Sequence, residues 1–386
     1  MIKLAIVTTH PIQYYAPVFK LLYERKNISI KVFYTRGEGA LDCFDHGFGK
    51  KIKWDIPLLD GYPYEWVTNT AANPGSHHFK GIINPGLIDQ VNAYKPDAVL
   101  VIGWAYSGHL KAIRYFKNKI PVYFRGDSTL LTETSRIKSI MKSIFLKWVY
   151  RHVDYAFYNG TANKDYFKKY GLKEQQLIFA PHAIDNERFK IDRTAYVAEL
   201  HSRLKIKEKD ILILFAGKFE PVKNIDLLLS AFLNLNSPNV HLLSVGNGVN
   251  EQSLKLKAAK SSLSNNIHFL DFKNQTYMPV LYQASDLFCL PSLSETWGLA
   301  VNEAMACSKA ILVSDKCGCA IDLVKNGENG AIFKSGSLAD LTACLKKLTA
   351  SKELLTNYGK VSGSIINSFS FLNISKAIES KLLHTD

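Results

Sequence analysis

The sequence predicts an α/β protein of two doubly wound domains, and three observations carry that expectation. The chain has 386 residues, too many for one ordinary domain and enough for two that each bury a core. Short apolar, β-branched runs alternate with helical patterns, the signature of a parallel sheet covered by helices. The alternation also breaks off and restarts: residues 185–210 are charged and lack an apolar period, which marks a linker.

Taken in order, strands are expected at 3–8, 29–34, 98–102, 121–124, 155–158 and 177–180 in the first half, with helical patterns between most of them. The second half gives strands at 211–216, 241–245, 267–270, 287–290 and 311–313, each followed by a turn and a helix-like stretch. Residues 338–384 read as helices, with Leu338, Leu341, Cys344, Leu345 and Leu348 at helical spacing. The expected domains are 1–190, 205–365, and a terminal helix in 366–386 packing back on the first. Ligands of open α/β sheets bind beyond the carboxyl ends of the strands, so two such edges facing each other would enclose an interdomain cleft.

Composition narrows the function classes. Hydrophobic residues make up 47% and charged residues 21%, ordinary for a soluble globular protein, and no run of about 18 apolar residues offers a membrane span. The start, MIKLAIVTTHPIQYY, reads as a buried first strand rather than an export signal. Cys43, Cys289, Cys307, Cys317, Cys319 and Cys344 are thinly spread, which favours reduced thiols in a cytoplasmic protein. Cys317-Gly318-Cys319 is the only close pair, and without a second ligand pair a metal role is set aside. The net charge of +14 suggests a polyanionic partner: nucleic acid, an acidic membrane surface or phosphorylated small molecules. About ten of those charges fall in residues 1–185.

The sharpest local signal is PSLSETWGLAVNEAMA at 291–306, a strand end, a short polar loop and a helix opening near Gly298 or Leu299. The amides at Gly298 and Leu299 and the positive end of the helix dipole form a site for a phosphate or diphosphate. Glu303 sits one turn in, and helical side chains lean toward the N-terminus, so its carboxylate is expected at the mouth of the cleft. Two carboxylates beside an anion site each accept hydrogen bonds from vicinal hydroxyls. An isolated pair of glutamates would equally cap and solubilise a helix. A second signal lies in FAGKFEPVKNID at 215–226, where a strand ends at Gly217 and Lys218 and Lys223 follow.

Glu295, seven intervening residues and Glu303, within SETWGLAVNEAMA, resemble the signature of glycosyltransferase family 4. The resemblance implies the GT-B fold, with two facing Rossmann-like domains, and retention at the anomeric carbon. By it, Glu303 would hold the ribose of a nucleotide, Glu295 would contact hydroxyls of the transferred sugar, and Gly298 and Leu299 would offer amides to the diphosphate. Lys218 and Lys223 would grip the same diphosphate, Lys218 standing where relatives carry arginine and so acting as a point charge. Gly246 and Phe272 match positions where the family turns its chain around the nucleotide base.

The first domain matches in outline. The turn at 8–14, TTHPIQY, lacks the glycines of a dinucleotide fingerprint; His10 and Gln13 there reach a reacting sugar or acceptor, or His10 is a histidine satisfied by nearby backbone. In FRGDS at 124–128, Arg125 replaces the histidine of relatives and would stabilise a leaving phosphate or bind an anionic acceptor. Asp127 would be the carboxylate on the acceptor side, against the alternative of a structural loop aspartate. APHAID at 180–185 resembles the end of the family's first domain and supports the boundary. RIKSIMKSIFLKWVYR at 136–151 has apolar positions at helical spacing, Ile137, Ile140, Met141, Ile144, Phe145, Trp148 and Val149 among them, with Lys138, Lys142, Lys147 and Arg151 between. It fits a helix packed on a sheet and, next, a helix lying on an anionic membrane.

The expected function is transfer of a hexose-like unit from a UDP- or GDP-sugar to a hydroxyl of a glycan or lipid-linked acceptor, in cell-surface polysaccharide synthesis. The nucleotide sugar is the substrate; no cofactor, metal or nucleic acid is expected, and Glu295, Asp127, His10 and Arg125 are the reaction-side candidates. The protein is expected in the cytoplasm, peripheral at the inner face of the membrane. A sugar-nucleotide epimerase and an inactive basic protein binding nucleic acid or membrane are the rivals.

Overall fold

The computed structural model describes residues 1–39, 44, 45, 50, 51, 53–131 and 136–384. It separates into two compact units: the first takes Met1–Cys43, Ile56–His182 and Phe371–Asp386, the second Phe44–Asp55 and Ala183–Ser370.

The strands are β1 (Lys3–Thr8), β2 (Ser29–Tyr34), β3 (Phe44–Asp45), β4 (Lys50–Lys51), β5 (Tyr64–Trp66), β6 (Ala98–Ile102), β7 (Val122–Arg125), β8 (Tyr155–Tyr158), β9 (Leu177–Phe179), β10 (Ile211–Ala216), β11 (Val240–Val245), β12 (Ile267–Leu270), β13 (Leu287–Leu290), β14 (Ala310–Ser314) and β15 (Gly330–Phe333). The first unit holds one parallel sheet in the order β5-β2-β1-β6-β7-β8-β9, the second a parallel sheet in the order β12-β11-β10-β13-β14-β15, and β3 and β4 form an antiparallel pair. Parallel sheets are covered on both faces and read as continuous apolar runs; β10 and β11 are buried at every position. In the first unit, Phe33, Val99, Val101, Phe116, Phe124 and Phe167 are buried in one cluster between sheet and helices.

Each sheet has a strand on either side of which the winding reverses: β1, between β2 and β6, and β10, between β11 and β13. Such switch points open a crevice at the carboxyl ends of the strands. In the first unit the crevice is framed by His109, fully buried on the helix Ser107–Phe116. Its Nδ1 lies 2.7 Å from the Gly103 carbonyl after β6 and its Nε2 2.7 Å from Thr35 Oγ1 after β2. The carbonyl can only accept, so Nδ1 carries the proton.

Two departures from the sequence expectation have physical causes. Residues 185–210 are not a spacer: they form the helices Asn186–Lys190 and Thr194–Leu204 of the second unit. The stretch carries few apolar residues because only Phe189 and Leu200 need burying on those two helices. The strands β5 and β15 escaped notice because each is short, on the edge of its sheet, and begins after Pro63 or at Gly330. A Cβ on Gly330 would lie 1.9 Å from the Ile311 carbonyl, so the strand starts at the only residue able to approach β14 that closely. The helix Phe371–Leu383 joins the first unit, where it packs on Ala16–Arg25 and Arg25 grips the 4%-exposed Glu379 with Nε and Nη2 at 2.8–2.9 Å.

Burial lowers His109 to about 4, and burial together with the His241 charge lowers His268 to about 4. The unfolded chain takes up these protons near pH 6.5, the folded one only near 4, so stability is full above pH 6.5 and falls as the pH drops through that window. Denaturant midpoints measured at pH 7.5 and pH 5 are therefore expected to differ, with the acid value lower and the slope reduced in His109→Gln.

Candidate functional site

The second unit's crevice is built from the loops that leave β10, β11, β12 and β13. Gly246 follows β11 with φ +143, and a Cβ there would lie 2.0 Å from the Gly217 carbonyl that follows β10. The two loops therefore cross in backbone contact, and no other residue fits. Gly217 N donates to Val245 O at 3.0 Å and Phe219 N to Asn247 O at 2.9 Å, which extends the ladder past the sheet. Gly217 itself has room for a Cβ, at 3.5 Å from Phe215, so packing alone does not require glycine there.

After β13, residues 292–298 are pinned on both sides. Leu293 N donates to Val222 O at 2.8 Å, in the turn Pro221–Lys223. On the other side Glu295 N donates to Lys316 O, Gly318 N to Glu295 O and Cys319 N to Trp297 O, all at 3.0 Å. A Cβ on Gly318 would meet the Thr296 carbonyl at 1.9 Å, so the pair of segments closes only on a glycine. Cys317 and Cys319, set aside as metal ligands from the sequence, are free, buried thiols; burial, first among the causes, pushes Cys317 up to about 12.

This pinning brings two predicted residues together. Lys223 Nζ donates to Glu295 Oε2, with side chains 23% and 17% exposed. Beside them Gly298, at φ +104, is the N-cap of the helix Leu299–Ala306 and provides no side-chain cap; Val301 N donates to the Gly298 carbonyl at 2.8 Å, and the Leu299 amide stands at the positive end of the helix, where such groups bind anions. Lys218 is half-buried on the loop after β10. Glu303 is 4% exposed, one oxygen accepting the Tyr282 hydroxyl at 2.7 Å. The helix turns nearly its whole surface inward, Val301 to Ala306 being buried. Tyr282, on the helix Met278–Ala284, went unnoticed in the sequence because a tyrosine in a helical pattern reads as core.

Phe272, after β12, is fixed through its backbone: its N–H donates to Asn247 Oδ1 at 3.0 Å, while Asn247 Nδ2 donates to Asp271 and Glu251 at 3.1 and 3.0 Å. From β13 to β12 the crevice crosses three strand spacings, about 14 Å.

The first unit gathers its own cluster at the carboxyl edge of its sheet. Arg125, at the end of β7, is 2% exposed and donates to the carbonyls of Ala180 and Pro181 at 2.9 and 3.0 Å. Its guanidinium also lies 5.7 Å from the Tyr15 ring centroid. The expectation that Arg125 meets a phosphate or an anionic acceptor gives way: the group is spent on holding the 180–182 turn. That turn delivers His182, 6% exposed, with Nε2 3.6 Å from Asp127 Oδ2 and its ring stacked on Tyr15. Asn159 Nδ2 donates to the other Asp127 oxygen at 3.1 Å. Burial opposes ionisation of Asp127, yet His182, Arg125 and Asn159 outweigh it and hold the carboxyl at about 2. In the sequence residues 180–185 mark a boundary only; the histidine next to Pro181 is the signal of the further role. His10 Nδ1 is 2.9 Å from Thr9 Oγ1, and burial, then the Arg36 charge, lowers it to about 4, so it is neutral at pH 7. In the helix Arg136–Tyr150, Leu146, Val149 and Tyr150 are buried while Ile140, Met141, Ile144 and Phe145 are 64%, 74%, 68% and 40% exposed. The side chains of Ile137 and Lys138, and Cys43, lie outside the described residues.

Residues 197–362, within the second unit, match the family model "Glycosyl transferases group 1". The chain is similar to D-inositol 3-phosphate glycosyltransferase of Geodermatophilus obscurus, 28% identical over 48% of this chain and 43% of the relative. It is also similar to the enzyme of that name from Rhodococcus erythropolis, 27% identical over 76% and 71%. It thus spans less than half the length of the first of these relatives. Among solved structures, HepE of Anabaena in complex with UDP and glucose superposes with a TM-score of 0.72 at 18% identity, over 100% of both chains. That likeness concerns the fold, two parallel-sheet Rossmann-like α/β units of the GT-B kind.

Gly318→Ala is expected to lower stability by about 1–3 kcal/mol in denaturant titration, because the atom it meets is backbone and cannot rotate away. An unchanged midpoint would show that residues 292–298 are free to move.

Proposed function

We propose that the chain is a retaining glycosyltransferase that moves a sugar from a UDP- or GDP-linked donor to a hydroxyl of a glycan or lipid-linked acceptor. One observation carries the reading: Lys223 and Glu295 meet beside the uncapped start of the helix Leu299–Ala306, at the point where the sheet reverses. The group 1 match over the same residues supports it.

In this reading the amides at Gly298 and Leu299, with Lys218 and Lys223, stabilise the diphosphate as it departs, the dominant electrostatic contribution. Glu295 gives up Lys223 to the phosphates and turns to hydroxyls of the sugar. Glu303 takes the ribose, oriented by Tyr282, and Gly246 and Phe272 border the base. Asp127 and His182 on the first unit receive the acceptor hydroxyl, with His10, neutral at pH 7, following β1 of the same unit; Arg125 positions His182. Asp127, an anion down to about pH 2, orients rather than accepts a proton. A donor phosphate oxygen takes the acceptor proton, so no separate base is assigned.

No helix among the described residues is long and apolar enough to cross a membrane. Peripheral attachment is proposed through the exposed face of Ile140, Met141, Ile144 and Phe145, flanked by Lys142, Lys147 and Arg151: apolar side chains would enter the interface while the cations meet acidic headgroups. A role in cell-surface polysaccharide synthesis fits such an attachment.

Thermal-shift titration tests the donor site. UDP or GDP is expected to stabilise the wild-type protein; Lys223→Ala should weaken the nucleotide about tenfold or more, and Glu303→Ala should do so through the ribose. Equal shifts in all three proteins contradict the site, and isomerised nucleotide sugar without an acceptor would move the assignment to an epimerase. For the membrane face, co-sedimentation with vesicles containing phosphatidylglycerol is expected, little with phosphatidylcholine alone, and a marked loss in Ile140→Asp/Ile144→Asp. Equal sedimentation of that variant and the wild type would remove the attachment.

A further inference from the structure

Residues 53–55 lie between β2 and β5 in sequence, yet they belong to the second unit and are fastened to its loop after β12. Asn274 Nδ2 donates to the Lys53 carbonyl at 2.7 Å. The Asp55 carboxylate accepts from Thr276 N, at 3.3 and 3.1 Å to its two oxygens, and from the Thr276 hydroxyl. The loop that receives them is itself braced from behind, Arg188 donating to the Gln275 carbonyl and, at 2.7 Å, to its side-chain oxygen. Trp54 sits between the two fastenings, half-buried, its ring edge-on to Phe272 with centroids 6.4 Å apart and planes at 63°.

We propose that Trp54 is a binding residue for the donor, its indole face forming with Phe272 the aromatic corner on which the nucleobase stacks. The inference rests on the donor-site reading above and deepens it. The direction of the crevice supports it. The diphosphate anchors lie at β13 and β10, and a nucleotide laid from them along the loops past β11 ends at the loop after β12, where Phe272 and Trp54 are. An edge-to-face pair leaves flat aromatic surface on the tryptophan, and Trp54 is not fully covered. Purines and pyrimidines both stack on such a surface, so the corner supplies affinity for a base without choosing its identity. Polar clasps on both sides of a single aromatic residue fix where its ring stands, the requirement for a stacking platform.

The test uses the full chain, with UDP and GDP titrated separately and both affinity and tryptophan fluorescence recorded. Wild-type emission is expected to be quenched on saturation by whichever nucleotide binds. Trp54→Ala should bind that nucleotide about tenfold more weakly and lose most of the quench, while Trp54→Phe recovers most of the affinity. Lys223→Ala should need more nucleotide but reach the same final quench, since its Trp54 is intact. Trp54→Ala with wild-type affinity, or with an undiminished quench, overturns the role of Trp54 while leaving the donor site standing. A wild-type protein that binds neither nucleotide overturns the donor site and this inference together. Should Trp54→Ala fail to fold, Trp54→Phe still decides: unchanged quenching at a position that no longer carries an indole refutes the stacking.

Discussion

The second unit depends on one close approach, the Thr296 carbonyl lying where residue 318 would carry a Cβ. From that contact follow the parallel bonds joining Glu295 and Trp297 to residues 316–319, the left-handed turn at Gly298 and the abrupt helix start at Leu299. Leu293 is bonded to Val222 at the same time, and Lys223 meets Glu295. Charge did not assemble this site; backbone packing did, and the ion pair occupies the place that packing leaves.

The two units use the same topological device with different chemistry. At the reversal in the second, glycines and lysines leave amides and cations at the surface. Along the carboxyl edge of the first, aromatic and polar side chains fill the space: Tyr15, Arg125, His182 and Asp127 interlock, and His109 links the segments after β6 and β2. A buried guanidinium bonded to two carbonyls is a strut, and its worth lies in the histidine it presents.

Much of this was legible in the sequence where structure follows from local pattern. The alternation of strand and helix gave the buried central strands within a residue or so, since a strand buried on both faces must be apolar throughout, as at 211–216. The motif at 291–306 and the lysines at 218 and 223 were legible because helix starts and glycine turns have local rules. Contacts between distant segments were not: Gly318 reads as an ordinary glycine until Thr296 is seen against it, Trp54 as one more aromatic until Asn274 and Thr276 fasten its neighbours. Arg125 shows the converse error. Its residue type suggested an anion site, and only the carbonyls of residues 180 and 181 reveal that its bonds are already made.

The closing helix Phe371–Leu383 returns to the unit in which the chain began, tied there by Glu379 and Arg25. Everything from residue 183 to 370 is thus an enclosed passage in the chain's itinerary. During synthesis the earlier unit waits, lacking its last helix, while the later one is made whole. The half that is translated first is finished last, and a fragment cut at residue 182 would leave the helix Ala16–Arg25 without the partner that covers it.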